Sequence, residues 1–368
     1  MSSIFTIGTF IAYFIAILFF TKKERVLADL IIGIWMCVIG SHLLAVHLNY
    51  LGLWEVYPHL FGTTAIFPLL HAPFLYLYIS YFLNGKQQFH LKDLLHFLPA
   101  GLSSLYVFRI IFFYTAEEKM SLDNGQIDES WFISSVLFVL IVSAVVYVIL
   151  SFRKLKHYQK IVQSNFSHSE NVNMKWLQYW IMGIAGVFCV VAVVIILRQG
   201  FGLKLGKNID AIFYCLFILL IVVLGYFGIN HHGIFTTKNI LVKKQVESYS
   251  NSNIDDKEAE RIQKELDQLM LTKKPYLNPK LTLTNLAKSI DTSPNQLSEV
   301  INQYQKVNFY KYVNDYRIQE FKYQAAKNPE YSILALAYDS GFNSKSSFNN
   351  IFKRETGMTP SEYLKSTT

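Results

Sequence analysis

The chain is poor in charge. Only 16% of its 368 residues are Asp, Glu, Lys or Arg, where a soluble chain of this length carries roughly 25%. A deficit of that size excludes a wholly water-facing surface and makes lipid a solvent for part of the chain. Cysteine is scarce as well. Cys37, Cys189 and Cys215 fall inside apolar runs, with neither metal-ligand spacing nor a disulfide framework, and they read as small buried hydrophobes. No H-E-x-x-H, G-x-S-x-G or phosphate-loop motif occurs. Enzyme chemistry therefore has no candidate residues, and neither a cofactor nor a metal is expected.

In place of charge, 52% of the residues are hydrophobic. They gather into seven long segments: Ile4–Phe20, Leu27–Tyr50, Val56–Leu83, Leu94–Thr115, Trp131–Phe152, Trp176–Leu197 and Ile209–Gly228. A spanning helix needs about 17–25 residues to cross roughly 30 Å at 1.5 Å each. Runs such as Val136–Leu150 are apolar all round rather than striped, as lipid-facing helices are. The first segment is followed by Lys22, Lys23 and Arg25 and preceded by no positive residue. That order is the reverse of a secretory signal, so the segment reads as a retained span.

Positive loops stay in the cytoplasm. The first loop carries Lys22, Lys23 and Arg25. The third carries Lys86 and Lys92, and the fifth Arg153, Lys154, Lys156, Lys160 and Lys175. The second, Gly52–Glu55, has no cation, and the fourth holds Glu117, Glu118, Asp123, Asp128 and Glu129 against Lys119. The N-terminus is therefore expected outside and the C-terminus inside. Arg198, Lys204 and Lys207 of the sixth loop dissent.

Four regions follow: a seven-helix membrane domain over 1–228, a cytoplasmic linker over 229–257, an amphipathic helix over 258–274, and a C-terminal domain over 275–368. Ile262, Leu266 and Leu269 give the amphipathic helix its apolar face. That face either packs on its own domain or pairs with a second copy.

The C-terminal domain has two units of one layout. In the first, Leu286, Ala287 and Ile290 face inward and Asp291-Thr292 turns the chain. Ser293-Pro-Asn-Gln296 then forms a capping box with proline at the first helical position. In the second, Gly341 ends Ile333–Asp339, and Asn343 or Ser344 caps a helix burying Phe348, Ile351 and Phe352. The second helix of each unit keeps a polar outer face whose amides and hydroxyls suit base edges in a major groove.

Residues 275–364 resemble the tandem helix-turn-helix domain of AraC/XylS-type transcription regulators. The resemblance rests on Leu283-Thr-Asn-Leu-Ala287, Asn308-Phe309, Asn314 with Arg317, and Asp339-Ser-Gly-Phe-Asn-Ser-Lys-Ser-Ser-Phe-Asn349. Phe352-Lys353, Gly357-Met-Thr-Pro360 and Tyr363 complete it. It implies base contacts from Asn295, Ser298, Glu299, Lys345, Ser346, Asn349 and Asn350, phosphate contacts from Arg317 and Lys353, and a homodimer on double-stranded DNA. Two departures stand out: Lys306 occupies a place where the family usually has glycine, and the first reading helix carries Glu299 but no cation. From 275 to 368 there are 11 Lys and Arg against 8 Asp and Glu, a net +3. That is a modest field for non-specific binding.

Phe67-Pro-Leu-Leu-His-Ala-Pro-Phe-Leu-Tyr-Leu-Tyr78 and Leu91-Lys-Asp-Leu-Leu-His-Phe-Leu-Pro99 are similar to bacterial proteins that fuse seven membrane helices to this domain. That likeness implies an all-α, multi-pass protein of the inner membrane, embedded in a lipid bilayer. Ionisable residues within spans are costly and suggest function. His42, His47, His59, Arg109 and Arg198 fall toward the outer side and suggest a pocket for a small ligand, an anionic one if Arg109 anchors it. His42 and His47 are five apart and do not share a helix face, so a metal site is not expected. The expected function is a membrane-embedded transcription regulator. The alternatives are a transporter with a regulatory tail, for which Pro68 and Pro73 are the candidate helix break, and a regulator released by proteolysis in the linker.

Overall fold

A computed structural model describes residues 2–84, 88–123, 127, 130–167, 174–203, 207–230 and 254–367. Most of the expected linker lies outside the described residues, as do Lys86, Asp128, Glu129 and Lys204. The fold is all-α, with sixteen α-helices and no strand among the described residues. The chain divides into two compact units, 1–156 with 174–236 and 157–173 with 237–368.

The first unit begins with a hairpin of α1 (Ser2–Phe20) and α2 (Leu27–Tyr50). Asp29 closes its connection: one carboxylate oxygen pairs with Lys22 Nζ at 2.6 Å and the other accepts the Val26 N–H at 2.9 Å. Gly33 lets the Phe20 ring lie on the α2 backbone; a Cβ there would stand 2.5 Å from that ring.

The expected helix over Val56–Leu83 is broken. It becomes α3 (Leu53–Val56), a 3₁₀ turn (Pro58–Leu60) and α4 (Phe67–Asn84). Gly62 takes φ +80° between them, a conformation glycine adopts without penalty. The break thus precedes Pro68, which serves instead in the first turn of α4, and Pro73 lies inside that helix. A 3₁₀ turn (Leu91–Phe97) leads into α5 (Leu98–Phe113), and α6 (Ala116–Asp123) occupies the expected fourth loop.

Helix α7 (Ser130–Asn165) runs 36 residues, well beyond the expected Phe152. Arg153, Lys154, Lys156 and Lys160 therefore stand on a helix rather than in a loop. Helices α8 (Lys175–Ile195) and α9 (Lys207–Asn230) complete the unit. Among the described residues five stretches are long and apolar enough to cross a membrane: Ser3–Phe20, Leu27–Tyr50, Leu91–Phe113, Ser134–Asn165 and Lys175–Arg198. Helices α4 and α9 are the other two of the seven expected segments.

The second unit is built on α10 (Asp256–Thr272), α11 (Leu283–Lys288), α12 (Pro294–Tyr304), α13 (Phe309–Lys327), α14 (Ile333–Asp339), α15 (Lys345–Thr356) and α16 (Pro360–Thr367). It has two cores. Ala259, Ile262 and Leu266 of α10 join Leu286, Leu297 and Val300 in the first. The apolar face of α10 is thus filled by its own domain. Phe321, Leu336, Phe348 and Phe352 make the second. Helix α13 belongs to both, giving Phe309, Tyr312 and Val313 to one core and Tyr310, Ile318 and Phe321 to the other. One rigid helix therefore sets the geometry between the two helix-turn-helix units.

Candidate functional site

Both units turn by the same device. After α11 the Thr292 N–H reaches Ala287 O at 3.1 Å, and after α14 the Phe342 N–H reaches Ala337 O at 3.1 Å. The residue that makes each turn is left-handed: Asp291 at φ +48° and Gly341 at φ +91°. Aspartate tolerates that region better than most residues. At Gly341 a Cβ would stand 2.3 Å from Tyr276 O, so only glycine fits.

Each second helix is then capped by serine. Ser293 and Gln296 form the capping box reciprocally at 3.3 Å, and Ser344 Oγ accepts the Ser347 N–H at 3.2 Å. The buried faces of α12 (Leu297, Val300, Ile301) and α15 (Phe348, Ile351, Phe352) are those the spacing required. Asn295, Ser298, Glu299 and Asn349 are left half-buried, and Lys345, Ser346, Asn350 and Lys353 exposed. On α12, Glu299 accepts from Gln303 Nε2 at 3.1 Å.

Lys306, two residues past α12, has φ +53°. A left-handed non-glycine residue costs roughly 1 kcal/mol. Lys306→Gly is therefore expected to stabilise this domain by about 1 kcal/mol, read as slower hydrogen exchange across 283–304. Unchanged or faster exchange would contradict the strain.

Arg317 is not on this surface. It is 1% exposed and donates from all five of its N–H groups. Nε meets Tyr276 O (2.8 Å). Nη1 meets Ser167 O (3.1 Å) and Asn314 Oδ1 (3.3 Å), and Nη2 meets Asn278 O (2.9 Å) and Ser167 Oγ (3.1 Å). Burial pushes its pKa down to about 10, which leaves it charged at neutral pH. Asn314 supports the clamp by donating to Tyr310 O and Ser167 O. The phosphate role expected for Arg317 is thereby replaced by a structural one, because no N–H is left for an oxygen of DNA. Beside it, burial raises the Glu320 carboxyl, but hydrogen bonds from Lys274, Gln324 and Tyr276 outweigh that and hold it low.

Nothing in the sequence pointed to Ser167. It lies two residues past α7, fully buried, and also bonds Leu281 O at 2.7 Å through its hydroxyl. Phe166 forms an antiparallel bridge with Thr282.

In the first unit a cavity of about 460 Å³ is lined by Phe5, His42, Asn49, Tyr50, Thr64 and Tyr214, with aliphatic and aromatic residues of α7. Of the five residues expected in a pocket, only His42 lines it. His47 packs against the Phe5 ring, His59 against Tyr57, and Arg109 lies 5.4 Å over both Tyr106 and Tyr114. Arg198 stands in the π-helical turn after α8. Behind the cavity His42 Nδ1 meets His71 Nε2 at 3.0 Å, and Trp35 Nε1 donates to His71 Nδ1 at 3.2 Å.

Two capped helix-turn-helix units joined by one helix define a tandem DNA-binding module. A family model described as a helix-turn-helix domain matches residues 286–366, and its type is that of AraC regulators. This segment therefore has the character of a DNA-binding regulator of transcription. No curated protein and no solved structure matches the chain.

Proposed function

We propose that the protein is a membrane-embedded, sequence-specific transcription regulator that reads DNA through α12 and α15 and senses a signal through its membrane half. The observation that carries this reading is the pair of capped, outward-facing helices matched by the helix-turn-helix family. In this reading α15 is the stronger reader, with Lys345 and Asn349 toward bases and Lys353 toward a phosphate. The two reading helices of one copy would lie about one turn of DNA apart, roughly 34 Å, on one face of the duplex, and the protein would bind as a homodimer.

Five apolar helices support insertion in the bilayer, and the loop charges support an outer N-terminus and an inner C-terminus. Communication between the halves is supported by α7. It runs without interruption from Ser130 to Asn165, and Ser167 just beyond is held by Arg317.

Single-cysteine variants, with Cys37, Cys189 and Cys215 replaced, test the orientation in intact cells. A membrane-impermeant maleimide should label a cysteine at Glu117 and leave one at Asp267 unlabelled until lysis. Labelling of Asp267→Cys in intact cells would overturn the topology.

A further inference from the structure

We infer that the cavity in the first unit binds a small, electrically neutral molecule with an apolar body and a hydrogen-bond acceptor such as a ketone, ester or amide carbonyl. This rests on the reading that the membrane half senses a signal, and it names the chemistry of that signal.

The direction of one hydrogen-bond chain fixes the acceptor. The Trp35 indole N–H is a donor only, and it meets His71 Nδ1 at 3.2 Å. His71 Nδ1 is therefore the lone-pair nitrogen, and the proton of that ring is on Nε2. His71 Nε2 then donates across 3.0 Å to His42 Nδ1. His42 must accept there, so its own proton is on Nε2 and both rings are neutral. With Nδ1 engaged, Nε2–H is the polar group that His42 offers to the cavity it lines. The ring is held in place by Phe67, stacked at 5.3 Å, and by Tyr214, edge-on at 5.9 Å.

The rest of the wall fixes the other two properties. Among the described residues its lining contains no Asp, Glu, Lys or Arg. An ion entering it would lose water without meeting a counter-charge, which is strongly unfavourable. Arg109, the anchor expected for an anion, is committed elsewhere: it donates to Tyr114 Oη at 3.0 Å. The lining is mostly aromatic and aliphatic, and about 460 Å³ lies within the roughly 300–1,000 Å³ of small-molecule sites.

The position is coherent with the proposed topology. Phe5 near the start of α1, Tyr50 at the end of α2, Phe132 near the start of α7 and Tyr214 in the first third of α9 all belong to the outer ends of their helices if the N-terminus is outside. Helix α7 gives the cavity one wall.

Benzophenone, a neutral diaryl ketone that photo-crosslinks, tests the site with the full chain in phosphatidylcholine nanodiscs. Its anionic analogue 4-benzoylbenzoate is the control. Benzophenone should label cavity residues such as Val46 and Leu137, and 4-benzoylbenzoate should not. Ala65→Trp, which fills the cavity, and His42→Phe, which removes the donor but keeps a ring, should each lower labelling at least 5-fold. Hydrogen exchange of α2 and α4 checks folding. Labelling unchanged in Ala65→Trp would mean partition into lipid and would overturn the site. Preferential labelling by 4-benzoylbenzoate would overturn its neutrality. Enrichment of a random duplex pool by the same nanodiscs separates the two ideas. Labelling with flat enrichment leaves the site standing and removes the regulator; enrichment without cavity labelling does the reverse.

Discussion

Arg317→Ala is expected to unfold the C-terminal domain rather than to weaken DNA contacts alone. The guanidinium is buried and satisfies five acceptors, four of them on residues distant in the chain. Truncation would leave the Tyr276 carbonyl without a donor, which costs about 1–3 kcal/mol when buried, and would leave the Ser167 and Asn278 carbonyls with only Asn314 Nδ2 and the Leu281 N–H. It would also open a void beside Phe342. A total loss of roughly 3–5 kcal/mol is a large fraction of a domain's stability. Hydrogen exchange of peptides from 283–364 in the full chain reads it directly. Arg317→Lys should recover only part, because an ammonium has three donors and no fork. A folded Arg317→Ala protein whose DNA binding loses about one unit of salt dependence would return Arg317 to the phosphates.

The second large effect is expected at α15. Lys345→Ala with Asn349→Ala should weaken binding to a selected site by roughly 30- to 10,000-fold, since each side chain that reads a base is worth about 1–3 kcal/mol. Neither side chain belongs to the buried face of α15, so the domain should stay folded. The matching pair on α12, Asn295→Ala with Ser298→Ala, should cost less, because Glu299 beside them repels phosphate. Binding isotherms of the two double variants at one salt concentration decide the order. Equal losses would make the two helices equal readers.

The C-terminal domain was legible because each of its signals is local. Serine caps, Gly341 and the i, i+3, i+4 apolar spacing act within a few residues, and the structure keeps all of them. Even the departure at Lys306 was visible, as a lysine where the family usually has glycine, and the structure gives that residue a left-handed backbone. The role of Arg317 was not legible. An arginine on a helix near DNA reads as a phosphate ligand, and its true partner Ser167 is 150 positions away. The same distance hid the attachment of the end of α7. Its run of lysines reads as a loop, yet Lys and Arg are good helix formers and α7 continues through them.

In the first unit, hydropathy located the segments but not their interruptions. The stretch Val56–Leu83 is apolar enough to read as one span, while Pro58 and Gly62 break its backbone. The candidate pocket was legible only at His42. His71 became its partner through a pairing of α2 with α4 that no local pattern encodes.

The most direct test of the central claim is selection of duplex DNA from a random pool by the full chain in nanodiscs. The account predicts enrichment of sites with two short motifs about one helical turn apart, and loss of the motif read by α15 when Lys345 and Asn349 are replaced. Flat selection by protein whose 283–364 segment is protected from exchange would contradict it.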